Sequence, residues 1–234
     1  MGTLYLIPAP LADGPLDHSL PKGTLAMIPR LRYFVVEELR TARRYLSKAG
    51  LKCQIEDLQL FALNEHTKAE ELDLMLQPLL EGNDMGLLSE AGLPCVADPG
   101  ALLVAMAHQK GIPVAPLTGP SSLMLALMAS GMNGQSFAFA GYLPVDSVLR
   151  KARIRHLEKR AIHENQTQIF METPYRNISL FNDLLEVCTP QTMLCIAANL
   201  TASNTFIITK TIAQWRSAHL PPIHKAPCIF VIEK

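Results

Sequence analysis

The sequence predicts an α/β protein of two domains, the first built on a mostly parallel sheet and the second on a mixed sheet with flanking helices. Short apolar runs typical of buried strands alternate with helical patterns along the chain, which favours parallel strands covered by helices. In the second half the last strands follow one another closely, which favours antiparallel edges. The 234 residues, 49% of them hydrophobic, suffice for one large or two small cores. We place the boundary after Leu117, giving domains 1–117 and 118–234.

The elements of the first domain follow from apolar runs and from the residues that end helices. Gly50 and Gly111 each follow a helical pattern and are typical helix-ending residues. Thr67, with Glu70 three residues later, predicts a capping box at the start of a helix. Strands are predicted at 3–8, 33–36, 60–63, 85–88 and 112–117, and helices at 38–49, 67–80 and 100–110.

The second domain shows the same two patterns. Ser121 or Ser122 is the predicted N-cap of its first helix. Met124, Met128 and Met132 recur at a spacing of four, which predicts a stripe of core residues. Helices are predicted at 123–130, 148–162, 175–187 and around Trp215, and strands at 137–141, 168–171, 193–197, 205–209 and 228–232.

Composition excludes several classes of protein. Basic and acidic residues number 21 each, so a strong nonspecific attraction to nucleic acid or to an acidic membrane is not expected, although a local basic patch remains open. The five cysteines are dispersed, without a CxxC pair, which favours reduced thiols in a cytoplasmic protein. No signal peptide and no membrane-spanning run is expected.

Common catalytic and cofactor motifs are missing from the sequence. No GxGxxG follows the first strand and there is no Walker A pattern, so the usual dinucleotide and P-loop sites lack their glycines. There is also no GxSxG nucleophile elbow. The seven histidines form no ligand pattern, and we predict no metal site.

Polar clusters follow three predicted strands. The segment 89–94 ends one strand in a loop in which Gly92 permits close approach of a ligand and Pro94 adds stiffness. Glu37 and Arg40 follow a second strand, and the segment 172–176 follows a third. Ligands of open α/β sheets bind beyond the carboxyl ends of the strands, so these clusters together favour a cleft. An ordinary turn or a solvated helix end is the alternative for each cluster.

The predicted helix at 148–162 is strongly basic. Arg150, Arg153 and Arg155 belong to this cluster. The alternatives are a solvated helix face and a surface that contacts nucleic acid phosphates.

The sequence resembles the tetrapyrrole methylase superfamily, and within it the branch of small-subunit ribosomal RNA 2′-O-ribose methyltransferases. The matching pieces occur in the family's order and span nearly the whole chain. Each segment alone is weakly specific for the family, but the ordered series of segments is strongly specific for it. They are the segments 4–10, 37–40, 88–94, 98–100, 116–122, 139–144 and 172–176, and the Ala226-Pro227 pair before the last apolar run.

The resemblance implies two α/β domains that hold S-adenosylmethionine in the cleft between them, and a homodimer. It places Glu37 and Arg40 on the acceptor side as tentative catalytic residues. It also implies that loop backbone grips the methyl donor, consistent with the missing GxGxxG. The implied donor-binding residues are Pro10, Ser89, Glu90, Ala91, Gly92, Pro94, Asp98, Thr118, Gly119, Ser121, Ser122, Leu200, Ala226 and Pro227. The predicted substrate-binding residues are Arg150, Arg153, Arg155, Glu172 and Arg176.

The sequence departs from the family pattern mainly on the acceptor side. The usual glycine-asparagine pair of the first loop is replaced in the segment 11–14, and the usual aspartates are Glu38 and Glu90 here. The usual Arg-Glu-Leu-Thr-Lys stretch reads Ala-Asn-Leu-Thr-Ala at 198–202. Three hypotheses follow: methylation of ribosomal RNA in the small subunit, methylation of a small tetrapyrrole-like acceptor, and a noncatalytic protein that binds S-adenosylmethionine.

Overall fold

Five short apolar runs in the first half of the chain form a parallel sheet. The residues of β4 are all buried, as expected for a strand covered on both faces. The computed structural model describes residues 1–64 and 66–234. Its N-terminal unit, Met1–Ser121, contains β1 (Leu4–Ile7), α1 (Lys22–Met27), β2 (Tyr33–Val36), α2 (Leu39–Leu46), β3 (Gln59–Ala62), α3 (Ala69–Leu80), β4 (Met85–Leu88), α4 (Ala101–Gln109) and β5 (Val114–Pro116).

The strand order of this sheet is β3-β2-β4-β1-β5, and every neighbouring pair is parallel. All five carboxyl ends therefore lie at one edge, with β1 between β4 and β5. Two apolar clusters pack on this sheet. One contains Phe34 and Leu46, and the other contains Leu72 and Leu103. This arrangement confirms the predicted parallel sheet.

Two helix ends differ from the sequence prediction. The helix expected at 38–49 ends as an α-helix at Leu46 and continues as a π-helical turn, Ser47–Leu51. The predicted capping box of Thr67 and Glu70 is wrong by one residue. The backbone N–H of Lys68 donates to Glu71 Oε1 at 3.3 Å, while Thr67 Oγ1 accepts from the backbone of Asn64.

The second half of the chain forms a sheet of mixed direction. The order is β6-β7-β10-β8-β9; β6 and β7 are parallel and the other neighbours are antiparallel. The predicted mixed sheet is confirmed, but only the edge at β9 is antiparallel, whereas the edge strand β6 is parallel to its neighbour. This C-terminal unit, Ser122–Lys234, contains α5 (Ser122–Ser130), β6 (Phe137–Tyr142), α6 (Ser147–His163), β7 (Thr167–Met171), α7 (Asn177–Val187), β8 (Met193–Ala198), β9 (Phe206–Thr211), α8 (Ile212–Arg216) and β10 (Cys228–Glu233).

The predicted methionine stripe of α5 is wrong. Met128 is 78% exposed and Met124 is 39% exposed. The helix instead buries the face that contains Leu123, Ala126 and Leu127. Because α5 is apolar almost all round, a spacing of four does not distinguish its buried face from the others.

Across the described residues, no helix combines the length and the apolar character that a membrane crossing requires. The division into two units falls after Ser121, whereas the sequence analysis places a boundary after Leu117.

Candidate functional site

The loops that follow β4, β1 and β5 meet at the carboxyl edge of the N-terminal sheet, because these three strands are neighbours. Ala9 and Gly92 join the first two loops through a pair of backbone hydrogen bonds of 2.8 and 3.0 Å. The buried Ser89 hydroxyl donates to the Gly92 carbonyl at 3.2 Å and closes the loop on itself. The segment 89–94 is therefore fixed in place against the start of the chain.

Gly92 and Gly119 are required by this packing. Gly92 has a φ of +75°, in the left-handed region that glycine adopts at least cost. A Cβ on Gly119 would lie 2.3 Å from Pro8, so the loop after β5 packs directly on the loop after β1. Thr24 also donates its hydroxyl to the Thr118 carbonyl at 2.8 Å. These contacts bring together the predicted donor-binding loops of the N-terminal unit and line them with backbone. That lining fits a donor held without a glycine-rich phosphate loop.

Three carboxyl groups lie near one another beyond β2 and β4. Partial burial raises the pKa of Glu37, and the negative charges of Asp98 and Glu90 raise it further. Burial also raises the pKa of Glu90, with a smaller opposing effect from a hydrogen bond to the Thr41 side chain. Burial raises the pKa of Asp98, while its hydrogen bond from the Gly100 backbone lowers it. Carboxyl groups with raised pKa values are typical of sites that accept or donate protons.

Glu38 and Arg40 occupy the start of α2. The Glu38 carboxylate caps the helix by accepting from the backbone N–H groups of Arg40 at 3.0 Å and Thr41 at 2.6 Å. These backbone hydrogen bonds lower the pKa of Glu38, in the opposite direction to its neighbour Glu37. Arg40 is exposed. The predicted pair, Glu37 and Arg40, therefore lies on either side of Glu38 in the sequence, and Glu38 caps the helix with a carboxylate that stays ionised.

A pocket of about 330 Å³ opens beside these groups, within the size range of ligand pockets. Its walls come from the segment 9–16, from the segment 88–91 and from one side of α2. Tyr45 contributes its ring and donates its hydroxyl to the Pro8 carbonyl at 2.9 Å. Three further lining residues share one side of α2 and of the π-helical turn that continues it. They are Thr41, Arg44 and Lys48, of which Thr41 and Lys48 were not predicted as site residues.

The remaining donor-binding candidates lie in the C-terminal unit. Asn199 donates its backbone N–H to the Pro227 carbonyl at 2.9 Å, so the turn after β8 meets the start of β10. This contact brings the buried Leu200 and Ala226 to the same end of the sheet. Ser122 is the first residue of α5.

The structure corrects the predicted role of Arg150. Its side chain is 3% exposed, and its guanidinium is 2.6 Å from the Asp183 carboxylate. It also donates to the Val145 carbonyl at 2.7 Å and to the Ser179 hydroxyl at 2.9 Å. Arg150 therefore joins α6 to α7 and is not on the surface. Arg155 is exposed and Arg153 is partly exposed.

Glu172 is also buried, so it does not present its carboxylate to a large substrate as predicted. It accepts a hydrogen bond from the Arg176 guanidinium at 2.5 Å, one helical turn later. Its second oxygen and the Oδ1 atom of Asn177 are buried without a partner among the described residues. Asn177, which the sequence analysis missed, donates its amide to the carbonyls of Ile223 and Ala226.

Comparison with known proteins identifies the family. A model of the family Tetrapyrrole (Corrin/Porphyrin) Methylases matches residues 20–215. The chain belongs to this family of methylases. The resemblance found in the sequence motifs is thereby confirmed.

Relatives in this family include proteins named "Ribosomal RNA small subunit methyltransferase I". The protein from Xylella fastidiosa (strain Temecula1) is 32% identical over 91% of this chain and 73% of its own length. The one from Vibrio cholerae is 31% identical over 85% of this chain, which spans 65% of the length of that relative. The one from Haemophilus influenzae is 29% identical over 99% of the chain and 78% of its own length.

Solved structures support the fold assignment. The methyltransferase CobJ has a TM-score of 0.67 and 17% identity, with 100% of this chain and 95% of that one covered. Uroporphyrin-III C-methyl transferase from Thermus thermophilus, complexed with S-adenyl homocysteine, has a TM-score of 0.59 and 16% identity, covering 100% and 98%. The α/β architecture of the chain is therefore that of the methylase family.

Proposed function

We propose that this protein is an S-adenosylmethionine-dependent methyltransferase that methylates a ribose 2′-hydroxyl of small-subunit ribosomal RNA. The observation on which this depends most is the convergence of the three backbone-lined loops beside a cluster of carboxyl groups. The names of the relatives support ribosomal RNA as the acceptor.

The proposed donor-binding residues form one set in each unit. In the N-terminal unit the set is Pro10, Ser89, Glu90, Ala91, Gly92, Pro94, Asp98, Thr118, Gly119 and Ser121. In the C-terminal unit it is Ser122, Leu200, Ala226 and Pro227. The backbone hydrogen bonds between Ala9 and Gly92, and the lack of space for a Cβ on Gly119 beside Pro8, support the first set. The hydrogen bond from Asn199 to Pro227 supports the second.

S-adenosylmethionine supplies an electrophilic methyl group when it is bound. The acceptor hydroxyl must lose its proton as its oxygen bonds to carbon, and a nearby base assists this loss. We assign this role to Glu37, whose raised pKa brings its carboxylate closer to the proton affinity that a general base needs. Arg40, exposed at the start of α2, would bind an anionic part of the acceptor.

A methyl-transfer assay tests this proposal. Small ribosomal subunits from cells that lack the gene are incubated with the protein and radiolabelled S-adenosylmethionine, and the RNA is digested with alkali. Label that stays in an alkali-resistant dinucleotide supports ribose methylation, since a 2′-O-methyl group blocks cleavage of the next phosphodiester. Absence of label in RNA, with an active donor preparation, rules out the proposed acceptor.

Calorimetry with S-adenosylmethionine and S-adenosylhomocysteine tests donor binding separately. Binding of neither compound rules out a methyltransferase. Donor binding without transfer to RNA but with transfer to a tetrapyrrole favours the small-acceptor alternative, which the zero net charge supports. Donor binding without any transfer favours a noncatalytic protein, and the uncharged ends of the segment 198–202 support that alternative.

We also propose that the protein is a cytoplasmic homodimer. The five cysteines are free thiols, which is typical of a reducing compartment. The dimer is what the resemblance to the methylase family implies. Analytical ultracentrifugation tests the dimer, and a monomer at micromolar concentration would contradict it.

A further inference from the structure

The segment 223–227 leads into β10 and contains two of the proposed donor-binding residues, Ala226 and Pro227. Pairing of β10 with β8 begins only at Cys228, so the strand ladder does not fix the residues before it. Lys225 has a φ of +57°, a left-handed conformation that a residue with a Cβ adopts at a cost. The conformation of this segment therefore depends on contacts from elsewhere in the C-terminal unit.

Asn177, the first residue of α7, provides two of these contacts. The residue is fully buried, and its Nδ2 group donates to the Ile223 carbonyl at 3.0 Å and to the Ala226 carbonyl at 2.7 Å. One side-chain amide thus binds both ends of a four-residue turn. A flipped amide would place Oδ1 against the same two carbonyl oxygens, so the two hydrogen bonds determine the orientation of the side chain.

The residues just before Asn177 hold the same segment. Lys225 donates its backbone N–H to the Pro174 carbonyl at 3.2 Å. Its ammonium group lies 5.6 Å from the centre of the Tyr175 ring, within the range of a cation–π interaction. The segments 174–177 and 223–227, which are distant in sequence, are therefore joined by backbone and side-chain contacts.

Glu172 and Arg176 stabilise the turn that positions Asn177. The Glu172 carboxylate, buried after the end of β7, accepts from the backbone N–H of Thr173 at 2.7 Å and from the Arg176 guanidinium. These bonds close the short turn that leads from β7 into α7. The predicted substrate-binding pair therefore acts within the protein, on the turn that carries Asn177 to the segment before β10.

Both groups of donor-binding candidates in the C-terminal unit meet at this segment. The backbone hydrogen bond from Asn199 to Pro227 connects it to the turn that contains Leu200. Without the Asn177 amide, the Ala226 carbonyl would lose a buried hydrogen-bond donor, and a buried acceptor without a partner is costly. The segment would shift to find other partners, and the surface that it offers to a ligand would shift with it.

We propose that Asn177 is a positioning residue for the methyl donor, and that its amide holds the segment 223–227 where Ala226 and Pro227 contact bound S-adenosylmethionine. Asn177 acts through this segment and is not a catalytic residue. The inference rests on the proposed function, since it concerns the donor site of that function.

Replacing Asn177 with leucine tests this role, because leucine has a similar volume and no N–H group. Thr192→Val is the matched control, since Thr192 is also buried and its hydroxyl donates to Glu158. Thr192 precedes β8 and Asn199 follows it, so the control lies at the other end of this strand, about 20 Å away. Urea unfolding followed by Trp215 fluorescence gives the stability of each variant. Calorimetry with S-adenosylhomocysteine and methyl-transfer kinetics with small ribosomal subunits are measured where both are folded.

We expect both variants to lose stability but only Asn177→Leu to lose donor affinity, by about tenfold. Its KM for S-adenosylmethionine should rise while its KM for ribosomal subunits stays at the wild-type value. Thr192→Val should bind S-adenosylhomocysteine as the wild type does. A general loosening of the C-terminal unit would weaken binding in both variants equally, and that result would overturn the inference.

Hydrogen exchange followed by mass spectrometry keeps the test decisive if Asn177→Leu does not fold. In the wild type, S-adenosylhomocysteine should slow amide exchange in the segment 223–227, and unchanged exchange there would overturn the inference. The milder variant Asn177→Ser, which also loses the amide, should speed exchange in this segment and weaken binding in the same direction.

The remaining outcomes separate this inference from the proposed function. If the wild type methylates RNA and Asn177→Leu binds S-adenosylhomocysteine as Thr192→Val does, the positioning role is overturned and the function stands. If Asn177→Leu alone loses donor affinity but the wild type methylates no RNA, the positioning role is supported and the proposed acceptor fails.

Discussion

Replacing Gly92 with alanine tests whether the loop at 89–94 forms part of the donor site. Alanine at a φ of +75° costs about 1 kcal/mol relative to glycine. The added Cβ would also lie 3.2 Å from Leu11 Cδ2, which is tighter than ordinary van der Waals contact, so the loop or Leu11 must shift. Gly131 provides a matched control, since it has the same φ of +75° and nothing within 4 Å of its Cβ position.

We expect Gly131→Ala to lose about 1 kcal/mol of unfolding free energy, and Gly92→Ala to lose about 1 to 2 kcal/mol. Urea unfolding followed by circular dichroism measures both. The fluorescence of Trp215, the single tryptophan, reports the C-terminal unit separately.

The functional prediction for Gly92→Ala concerns the donor. A displaced loop should weaken S-adenosylhomocysteine binding by about tenfold, or about 1.4 kcal/mol, whereas Gly131→Ala should bind as the wild type does. Calorimetry at a temperature where both variants are folded measures this difference. If the two variants bind S-adenosylhomocysteine equally well, the segment around Gly92 does not contribute to the donor site and the reasoning fails.

Two further predictions concern buried and titrating charges. Arg150→Met should cost about 3 to 5 kcal/mol, because the Asp183 carboxylate would stay buried with the more distant Lys151 at 3.6 Å as its remaining ion-pair partner. Trp215 fluorescence in urea measures this loss, and Arg155→Met, on an exposed position of the same helix, should leave stability unchanged. Glu37→Gln should abolish most methyl transfer, and the wild-type rate should fall as the pH drops through a pKa above that of an ordinary glutamate.

At neutral pH the Glu37→Gln substitution should lower methyl-transfer activity and raise the free energy of unfolding. A carboxyl group whose pKa is raised in the folded state favours folding when protonated, so its contribution is fully present at low pH and is lost as the pH rises through the raised pKa. The variant should therefore be at least as stable as the wild type at neutral pH, and its advantage should disappear in acid. Equal methyl-transfer rates for the two proteins would exclude Glu37 as the base.

The architecture could be predicted from the sequence because local patterns determine it. A run such as Met85–Leu88 is apolar at every position, and it becomes a strand buried on both faces. Helix ends were predicted less well. Lys68, not Thr67, ends up at the N-cap position of α3, because several residues in this segment could begin the helix.

The role of individual side chains depends on contacts that are distant in sequence, and the sequence predicted them poorly. Arg150 sits in a basic run, yet Asp183 draws it into the interior from 33 positions away. Arg44 and Lys48 gain their setting only when the loop after β1 folds over α2. By contrast, the segment 89–94 could be singled out because its glycine and proline reflect a local constraint.

The carboxyl cluster beyond β2 and β4 connects these observations to function. Burial raises the pKa values of Glu37, Glu90 and Asp98, and the charge of Asp98 adds to this effect at Glu37 and Glu90. The folded state therefore loses free energy at neutral pH when all three groups are ionised. One of these carboxylates has a structural role, since Asp98 accepts a hydrogen bond from the Gly100 backbone N–H just before α4. For Glu37 the cost is understandable if its carboxylate must accept a proton from an incoming hydroxyl.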